Sequence, residues 1–327
     1  MKNLDRARTS QTKAYQVLLI LLLASVSLSN AMKDLNRLQE MANSFQAFAW
    51  GWFGHDLTAA NAKGLSLGES FCVKGLGQAD GAAEEFHWKG RIAPGKAIEV
   101  KGINGDISAE PAAGGDTEVN AFKKGRRSDP GTVKIQVVEH PEGVTICALY
   151  ATEDPDSPNS CEPGGDREHR NSSATINVRN NDVHVDFIIR VPAGVAFVGR
   201  TVNGEINATS LSSNVISHTV NGSIKISTSG YALARTVNGE IAARLGDTNW
   251  SGSIELKTLN GDIRLDLPST TSAQIQADTL NGEISSEFPL TLLGSISRRR
   301  VRGTIGSGGR ELILKTLNGS IYLRRAS

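Results

Sequence analysis

The sequence predicts an all-β protein that folds as a parallel β-solenoid, with one short motif repeated in every coil. The motif reads Thr-Val/Leu-Asn-Gly-x-Ile, where x is Asp, Glu or Ser. Its asparagines are Asn104, Asn203, Asn221, Asn238, Asn260, Asn281 and Asn318. The composition agrees with such a fold, because aromatic residues make up only 5% of the chain while glycines number 34. Frequent Val, Ile and Thr favour strands over helices.

The spacing of the copies indicates stacked structural units. From Asn203 onward the Asn-to-Asn steps are 18, 17, 22, 21 and 37 residues. Near-constant periods of this size are typical of folds in which each unit contacts its neighbours. The last step spans about two periods, and Thr304-Ile305-Gly306 within it resembles a degenerate copy.

A two-residue β-hairpin at each Asn-Gly is the alternative interpretation, since this pair is a strong hairpin signal. Such a turn at Asn203 would set Val202 opposite Glu205, an apolar residue against a charged one, and the mismatch recurs in other copies. If the chain instead runs on through the motif with period-two alternation, Val202, Gly204 and Ile206 share one face. Thr201, Asn203 and Glu205 then share the other, so the sequence favours a continuing chain.

Stacked coils would place equivalent residues about 4.8 Å apart, like upon like. We expect the Val/Leu and Ile columns to fill the interior, each buried side chain contributing roughly 1.5–3 kcal/mol. We expect the seven asparagines to form a ladder of amide hydrogen bonds, as stacked Asn residues do in cross-β assemblies. The glycine that follows each one permits an unusual backbone angle or a close approach at a corner.

The amino terminus has the features of an export signal over residues 1–31. Lys2, Arg6, Arg8 and Lys13 precede an apolar run of about a dozen residues, shorter than the roughly 20 that span a bilayer. Small residues follow it at the positions typical of cleavage. An uncleaved anchor is the alternative. We therefore predict an exported protein, periplasmic, cell-surface or secreted, with no transmembrane domain beyond the signal segment.

A helical segment and linker are predicted for residues 32–84, and the β-solenoid domain for residues 85–327. Its part from 85 to 195 is irregular, with strands predicted at 86–92, 97–110, 117–122, 133–139 and 144–150. The turn at residues 140–143 predicts a hairpin between the last two, and the alternation from Val183 to Val191 predicts a further strand. The regular repeats occupy residues 196–327.

The loop at residues 151–180 is rich in Pro, Gly, Asp, Asn and Ser, a composition typical of a surface loop. Cys147 and Cys161 bracket its first portion. In an exported protein these two cysteines could form a disulfide worth about 3 kcal/mol, leaving Cys72 unpaired. Three free thiols are the alternative.

No catalytic motif stands out in the sequence, and no cofactor or metal site is predicted. The six histidines have no metal-ligand spacing, and no nucleophile elbow, phosphate-binding loop or dinucleotide fingerprint is present. The formal net charge of +1 gives no sign of nucleic-acid binding.

The acids that follow Asn-Gly admit two interpretations. They are Asp106, Glu205, Glu240, Asp262 and Glu283. They could form a carboxylate stripe that binds calcium or cleaves a polysaccharide. A solvated face of mixed charge agrees better with Ser223 and Ser320 at the same position, and with bases three residues before several of the asparagines.

Two basic clusters, at residues 123–127 and 298–302, could contact anionic glycans or lipid headgroups. Solvated loops are the simpler interpretation, and the lack of interleaved aromatic residues disfavours nucleic acid.

The recurring Thr-Val-Asn-Gly-(Glu/Ser)-Ile motif resembles the bacterial putative-adhesin family of β-strand-repeat proteins, a domain of unknown function. The resemblance runs from about Ile92 to Leu323 and includes the segments 93–105, 191–195 and 316–321. It implies an exported β-solenoid and carries no catalytic residues over to this chain.

We therefore predict a non-enzymatic cell-envelope or surface protein, with an adhesin-like solenoid for binding or scaffolding. Its partners are unidentified, with envelope proteins and glycans as the candidates. A polysaccharide lyase or hydrolase on a β-helix and an envelope-stress sensor or regulator are the alternatives.

Overall fold

The computed structural model describes residues 83–152, 159–164, 181–246, 252–292 and 297–326, which form an all-β fold. The helical structure among these residues is a single 3₁₀ turn, Pro130–Thr132. Within the same ranges no helix is long and apolar enough to cross a bilayer. The predicted signal peptide, nearly all of the segment 32–84 and most of the loop 151–180 lie outside the described residues.

Seven strands precede the regular repeats. They are β1 (Ala83–Gly90), β2 (Ala97–Lys101), β3 (Ile107–Pro111), β4 (Thr117–Lys124), β5 (Lys134–His140), β6 (Gly143–Leu149) and β7 (His184–Val191). The predicted hairpin is present, since β5 and β6 pair antiparallel with His140 opposite Gly143. The single strand predicted over residues 97–110 is two strands, because the chain turns a corner at Asn104-Gly105.

The repeat region contains fourteen strands. They are β8 (Ala196–Arg200), β9 (Ile206–Leu211), β10 (Val215–His218), β11 (Ile224–Thr228), β12 (Ala232–Asn238), β13 (Ile241–Leu245), β14 (Ile254–Asn260), β15 (Ile263–Leu267), β16 (Ala273–Asp278), β17 (Ile284–Ser286), β18 (Leu290–Leu292), β19 (Arg300–Ile305), β20 (Arg310–Lys315) and β21 (Ile321–Arg325). Each Asn-Gly lies where one strand of a coil ends and the next begins.

The strands form two mixed sheets, and every coil contributes one strand to each. Sheet A has the order β1-β4-β7-β3-β9-β11-β13-β15-β21-β17. Sheet B has the order β18-β19-β16-β20-β14-β12-β10-β8-β2-β6-β5. Strands of neighbouring repeats are parallel, and the antiparallel pairs lie towards the ends of the sheets. The prediction of an all-β repeat fold is therefore confirmed.

The isoleucine after each Asn-Gly pairs with its equivalent in the next coil. Ile206 lies between Ile107 and Ile224, and Ile263 lies between Ile241 and Ile321. These six side chains are at most 1% exposed. The column joins the inward faces of successive strands into one continuous apolar core.

The predicted alternation of faces through the motif is wrong at two positions. Thr201 and its equivalents point inwards and are fully buried, whereas Val202 and the other Val and Leu residues beside them are only half-buried. The reason is the corner: Thr236 continues the inward set of β12, and Ile241 opens the inward set of β13 five residues later. An odd step between two inward residues is incompatible with a straight strand.

The coils are not stacked in chain order at either end. The last coil, β20 and β21, lies between β14–β15 and β16–β17. Near the other end, β2 and β3 lie between β6–β7 and β8–β9. Residues 304–306 are not a degenerate coil, because β19 runs antiparallel to β16 and ends in a turn at Gly306.

Candidate functional site

The corner at each Asn-Gly carries a ladder of side-chain amides. In every step the Nδ2 of one asparagine donates to the Oδ1 of its neighbour, at 2.7–2.8 Å. The order along the ladder is Asn104, Asn203, Asn221, Asn238, Asn260, Asn318 and Asn281. Apart from half-buried Asn104, these residues are exposed, so the ladder runs along the surface of the corner.

The buried threonines form a second column of hydrogen bonds beside the ladder. Each Oγ1 donates to the backbone carbonyl of the corner glycine in the neighbouring coil, as Thr236 does to Gly222 at 2.9 Å and Thr258 to Gly239 at 2.8 Å. The same bond recurs at Thr201, Thr219, Thr279 and Thr316. Gly102 stands at the threonine position of the first copy. The column explains why a polar residue is buried here, because its hydroxyl is satisfied.

The corner glycines are required by close packing between coils. A Cβ on Gly239 would overlap the backbone of Gly222, and one on Gly222 would overlap Gly204. Most of these glycines have an ordinary φ; only Gly105 and Gly261 lie in the positive range. Close approach, rather than an unusual backbone angle, is therefore the common reason for glycine.

Short side chains after the glycine also link the coils. Asp106 accepts from the backbone N–H of Glu205 at 2.8 Å, and Asp262 accepts from the N–H of Ser320 at 2.8 Å. The Ser320 hydroxyl accepts in turn from the N–H of Glu283 at 3.2 Å. Asp and Ser are short enough to reach the neighbouring backbone, which explains why they share this position.

Two of the longer glutamates at this position meet basic side chains. Glu240 pairs with Arg264, and Glu283 lies 3.8 Å from Arg298. Together with these basic partners, the five acids form a stripe of mixed charge. Within the described ranges, no three His, Cys, Asp or Glu side chains are grouped so as to hold a metal ion.

The outer face of sheet B carries a second regular arrangement, which we call the charged row. It consists of the outward residue just before the threonine position in each coil, together with Arg300 of β19. Its members, in register, are Lys101, Arg200, His218, Arg235, Lys257, Lys315, Asp278 and Arg300. Adjacent strands lie about 4.8 Å apart, so the row is a line of closely spaced charges.

A parallel line two residues further from the corner is half apolar and half polar or charged, and we call it the aliphatic row. It contains Glu99, Val198, Ile216, Leu233, Glu255, Ile313, Gln276 and Arg302, again in register. Its Val, Ile and Leu members are half-buried.

At the amino-terminal end of the charged row, Glu99 is buried among donors. It accepts from Arg200 Nε at 2.9 Å, from the Thr145 hydroxyl at 3.0 Å and from the Gly164 N–H at 3.0 Å. Burial acts to raise the pKa of the Glu99 carboxyl, but Lys101 and Arg200 outweigh it and hold the pKa below its ordinary value.

A disulfide between Cys147 and Cys161 fixes the segment 159–164 over this end of the sheet, with a Cα–Cα distance of 5.7 Å. Lys101 Nζ donates to the backbone carbonyls of Glu162 and Gly164 at 2.6 and 3.0 Å. The segment therefore covers Glu99 and Lys101.

His218 lies between two arginines in the charged row and is 2% exposed. Its Nδ1 is 2.8 Å from Arg200 Nη1, which can only donate, so Nδ1 is the acceptor. Burial, with the charges of Arg200 and Arg235, lowers the pKa of His218 well below its ordinary value. The imidazole is therefore neutral at neutral pH.

In the carboxy-terminal half of the charged row, acids lie among the bases. Glu255 lies between Arg235 Nε at 2.7 Å and Lys257 Nζ at 2.9 Å. Asp278 accepts from Arg300 at 3.1 Å. Lys315 makes no ion pair with any residue that the structure describes.

The two basic clusters noted in the sequence are not single patches. Lys123 is buried, bonded to Glu84 at 2.8 Å and to the Val133 carbonyl at 3.0 Å. In the second cluster, Arg300 and Arg302 extend outwards from β19, whereas the Arg298 and Arg299 carbonyls accept from backbone N–H groups of the coil containing Asn281.

Sequence reasoning noted bases before several asparagines but missed the charged row, because it did not place them on one face. It also missed Glu99, Glu255 and His218. The signal was present in the sequence: His218-Thr219, Arg235-Thr236 and Lys257-Thr258 share the same step before the corner.

These features define a β-strand-repeat protein with two mixed sheets and a recurring Thr-x-Asn-Gly corner. Residues 164–324, about half of the chain, match the family model described as Toastrack DUF4097. The resemblance found in the motifs is therefore confirmed.

The solved structures to which this chain is similar include a putative cell adhesion protein from Clostridium sporogenes, with 10% identity and a TM-score of 0.39 over 75% of this chain and 100% of that one. Another is a putative adhesin from Bacteroides fragilis, with 10% identity and a TM-score of 0.25 over 74% of this chain and 97% of that one. No curated protein matches the chain significantly.

Proposed function

We propose that this chain is an exported, adhesin-like protein whose coils form a parallel β-solenoid and whose outer face binds a partner at the cell envelope. The observation that carries the proposal is the charged row. It places a charged or titratable side chain on each of eight neighbouring strands, at one register position.

The corner holds this face in shape. Three columns of contacts, from asparagine amides, threonine hydroxyls and tightly packed glycines, connect each coil to the next. Such connections favour a rigid, extended surface on which side chains keep a fixed spacing. A regular surface of this kind suits binding or scaffolding.

An exported location is supported by two features. The Cys147–Cys161 disulfide is typical of proteins that mature in an oxidising compartment. The charged and apolar pattern of residues 1–31 is typical of a signal peptide.

The acids of the corner support a binding role over polysaccharide cleavage. Asp106 and Asp262 use an oxygen to hold a neighbouring backbone N–H, and Glu240 pairs with Arg264. A glycosidase needs two carboxyl groups held on opposite sides of one bond, with one of them protonated. These corner acids instead form one stripe.

The test is retention of envelope proteins and glycans by the immobilised full-length chain. The test variant is Gly239→Ala, which disturbs the stacking of the coils. The control variant is Gly246→Ala, where a new Cβ meets only ordinary contacts. We expect wild type and Gly246→Ala to retain the same ligand and Gly239→Ala to lose it. Retention of nothing by the wild type, or turnover of a uronic-acid polymer, would contradict the proposal.

A further inference from the structure

Five basic side chains lie together on the outer face of sheet B, towards its carboxy-terminal end. They are Arg235, Lys257, Lys315, Arg300 and Arg302. The acids within this patch are Glu255 and Asp278. The patch therefore carries more positive than negative charge, although the whole chain has a formal charge of only +1.

The spacing within the patch is regular in one direction. Arg235, Lys257 and Lys315 lie on three successive strands and are register partners. They follow one another at the strand spacing of about 4.8 Å, close to the length that one sugar residue adds to an extended polysaccharide. A polymer with one acidic group per sugar, lying across the strands, would present an anion near each of these cations.

The aliphatic row supplies the second half of such a site. Leu233 and Ile313 lie beside the basic residues and are half-buried, one on either side of Glu255 in the same row. The C–H faces of sugar rings can cover these two side chains while their acidic groups meet the cations. Neither row contains an aromatic side chain on which nucleic-acid bases would stack.

Electrostatic crowding agrees with a site for anions. Burial, with the nearby charges of Arg235 and Lys315, lowers the pKa of Lys257 despite its contact with Glu255. Lys315 has no ion-pair partner among the described residues. An anion beside Lys315 would supply the counter-charge that this lysine lacks among the described residues.

We propose that this patch binds a linear acidic polysaccharide of the uronic-acid type, which runs across β12, β14, β20, β16 and β19. The inference rests on the proposed binding function and names its ligand class. The bound chain lies along the stack, with acidic groups on Arg235, Lys257 and Lys315 and, beyond Asp278, on Arg300. Its ring faces lie against Leu233 and Ile313.

The experiment measures binding of polygalacturonate to the full-length protein at low and moderate salt, with dextran as the neutral polymer. The variant Lys257→Gln/Lys315→Gln/Arg302→Gln removes three charges from the patch. Its matched control, Lys225→Gln/Arg244→Gln/Arg324→Gln, removes three charges from the outer face of sheet A. We expect the first variant to lose at least about tenfold in affinity and the control to stay within about twofold.

Two further arms keep the test decisive. Lys257→Arg/Lys315→Arg retains the charges and should retain binding, which separates loss of charge from loss of fold. Equal loss of polygalacturonate affinity in both triple variants would overturn the proposal. Wild-type protein that does not bind polygalacturonate, or that binds phosphatidylglycerol vesicles more tightly, would also overturn it. In each of these outcomes a ligand retained from envelope extracts would still support the proposed function, so the two failures are distinguishable.

Discussion

At the scale of single residues, every asparagine within the ladder both donates and accepts. Asn238 donates to Asn221 and accepts from Asn260. Because these amides are exposed, water can replace part of what a substitution removes. The ladder is therefore expected to align the coils as much as to stabilise them.

Asn238→Ala should lower the free energy of unfolding by about 1–2 kcal/mol, since two hydrogen bonds of about 0.5–1.5 kcal/mol each are lost. Chemical denaturation measures this change. Asn207→Ala, at a half-buried position on the outer face of sheet A, is the matched control. Equal effects of the two substitutions would show that the ladder adds nothing specific.

Thr236→Val keeps the shape of the buried side chain and removes its bond to the Gly222 carbonyl. We expect a loss of about 1–2 kcal/mol in unfolding free energy, because the carbonyl is left short of a donor. Thr236→Ser keeps the hydroxyl and loses only a methyl group, worth about 1 kcal/mol. Unchanged stability in Thr236→Val would contradict the role given to this column.

His218 makes stability depend on pH. Its pKa in the folded protein is depressed by burial, Arg200 and Arg235, so the unfolded chain takes up the proton more readily. The stabilisation is therefore full above the unfolded value of about 6.5 and declines as the pH falls below it. The depressed carboxylates Glu99 and Glu255 act in the same direction but at lower pH, below about 4.5.

Melting curves between pH 7 and pH 5 test this prediction. His218→Gln should flatten the decline over that range, whereas the exposed-site variant His184→Gln should not. If both variants follow the wild-type curve, the destabilisation at low pH arises elsewhere.

At the scale of strands and corners, the glycine of each motif determines how closely two coils approach. Gly239→Ala should lower unfolding free energy by roughly 3 kcal/mol or more, because the new Cβ meets backbone atoms that cannot move aside. Gly246→Ala should change it by less than about 1 kcal/mol. Comparable losses in the two variants would argue against close packing at the corner.

Much of the strand pattern could be predicted from the sequence, and the reason is local. The hairpin of β5 and β6 follows from its turn residues, and the buried isoleucines follow from their recurrence after Asn-Gly. The burial of Thr201 could not be predicted in this way. A corner resets the alternation of faces, and its position depends on where the second sheet lies.

The charged row shows a different limit of sequence reasoning. Arg200 and Lys257 are 57 residues apart in the chain, yet both belong to one row because every coil keeps its register. Their common position, one residue before the threonine, could be seen in the sequence. Whether side chains at that position point inwards or outwards could not be predicted without knowing where the corner lies.

At the scale of the whole described fold, the order of the coils is set by pairing rather than by chain position. The last coil inserts beside β14 and β15, so residues near the carboxy terminus lie within the stack rather than on its edge strands. Beyond it, β16 meets antiparallel β19, and the Arg298 and Arg299 carbonyls satisfy N–H groups of Ile284 and Thr279. Covering edge groups in this way opposes end-to-end growth of the stack.

The central claim is that parallel coils stack in this particular order, and distances between spin labels on sheet A test it most directly. In a Cys72→Ser background, one label replaces Asn207 and the second replaces either Tyr322 or Ser285. The register places these residues four and five coils from Asn207, at about 19 and 24 Å by the strand spacing. The account predicts that the label at 322 is the nearer one, although it lies further along the chain. A label at 285 nearer than that at 322, or distances that fit neither value, would contradict it.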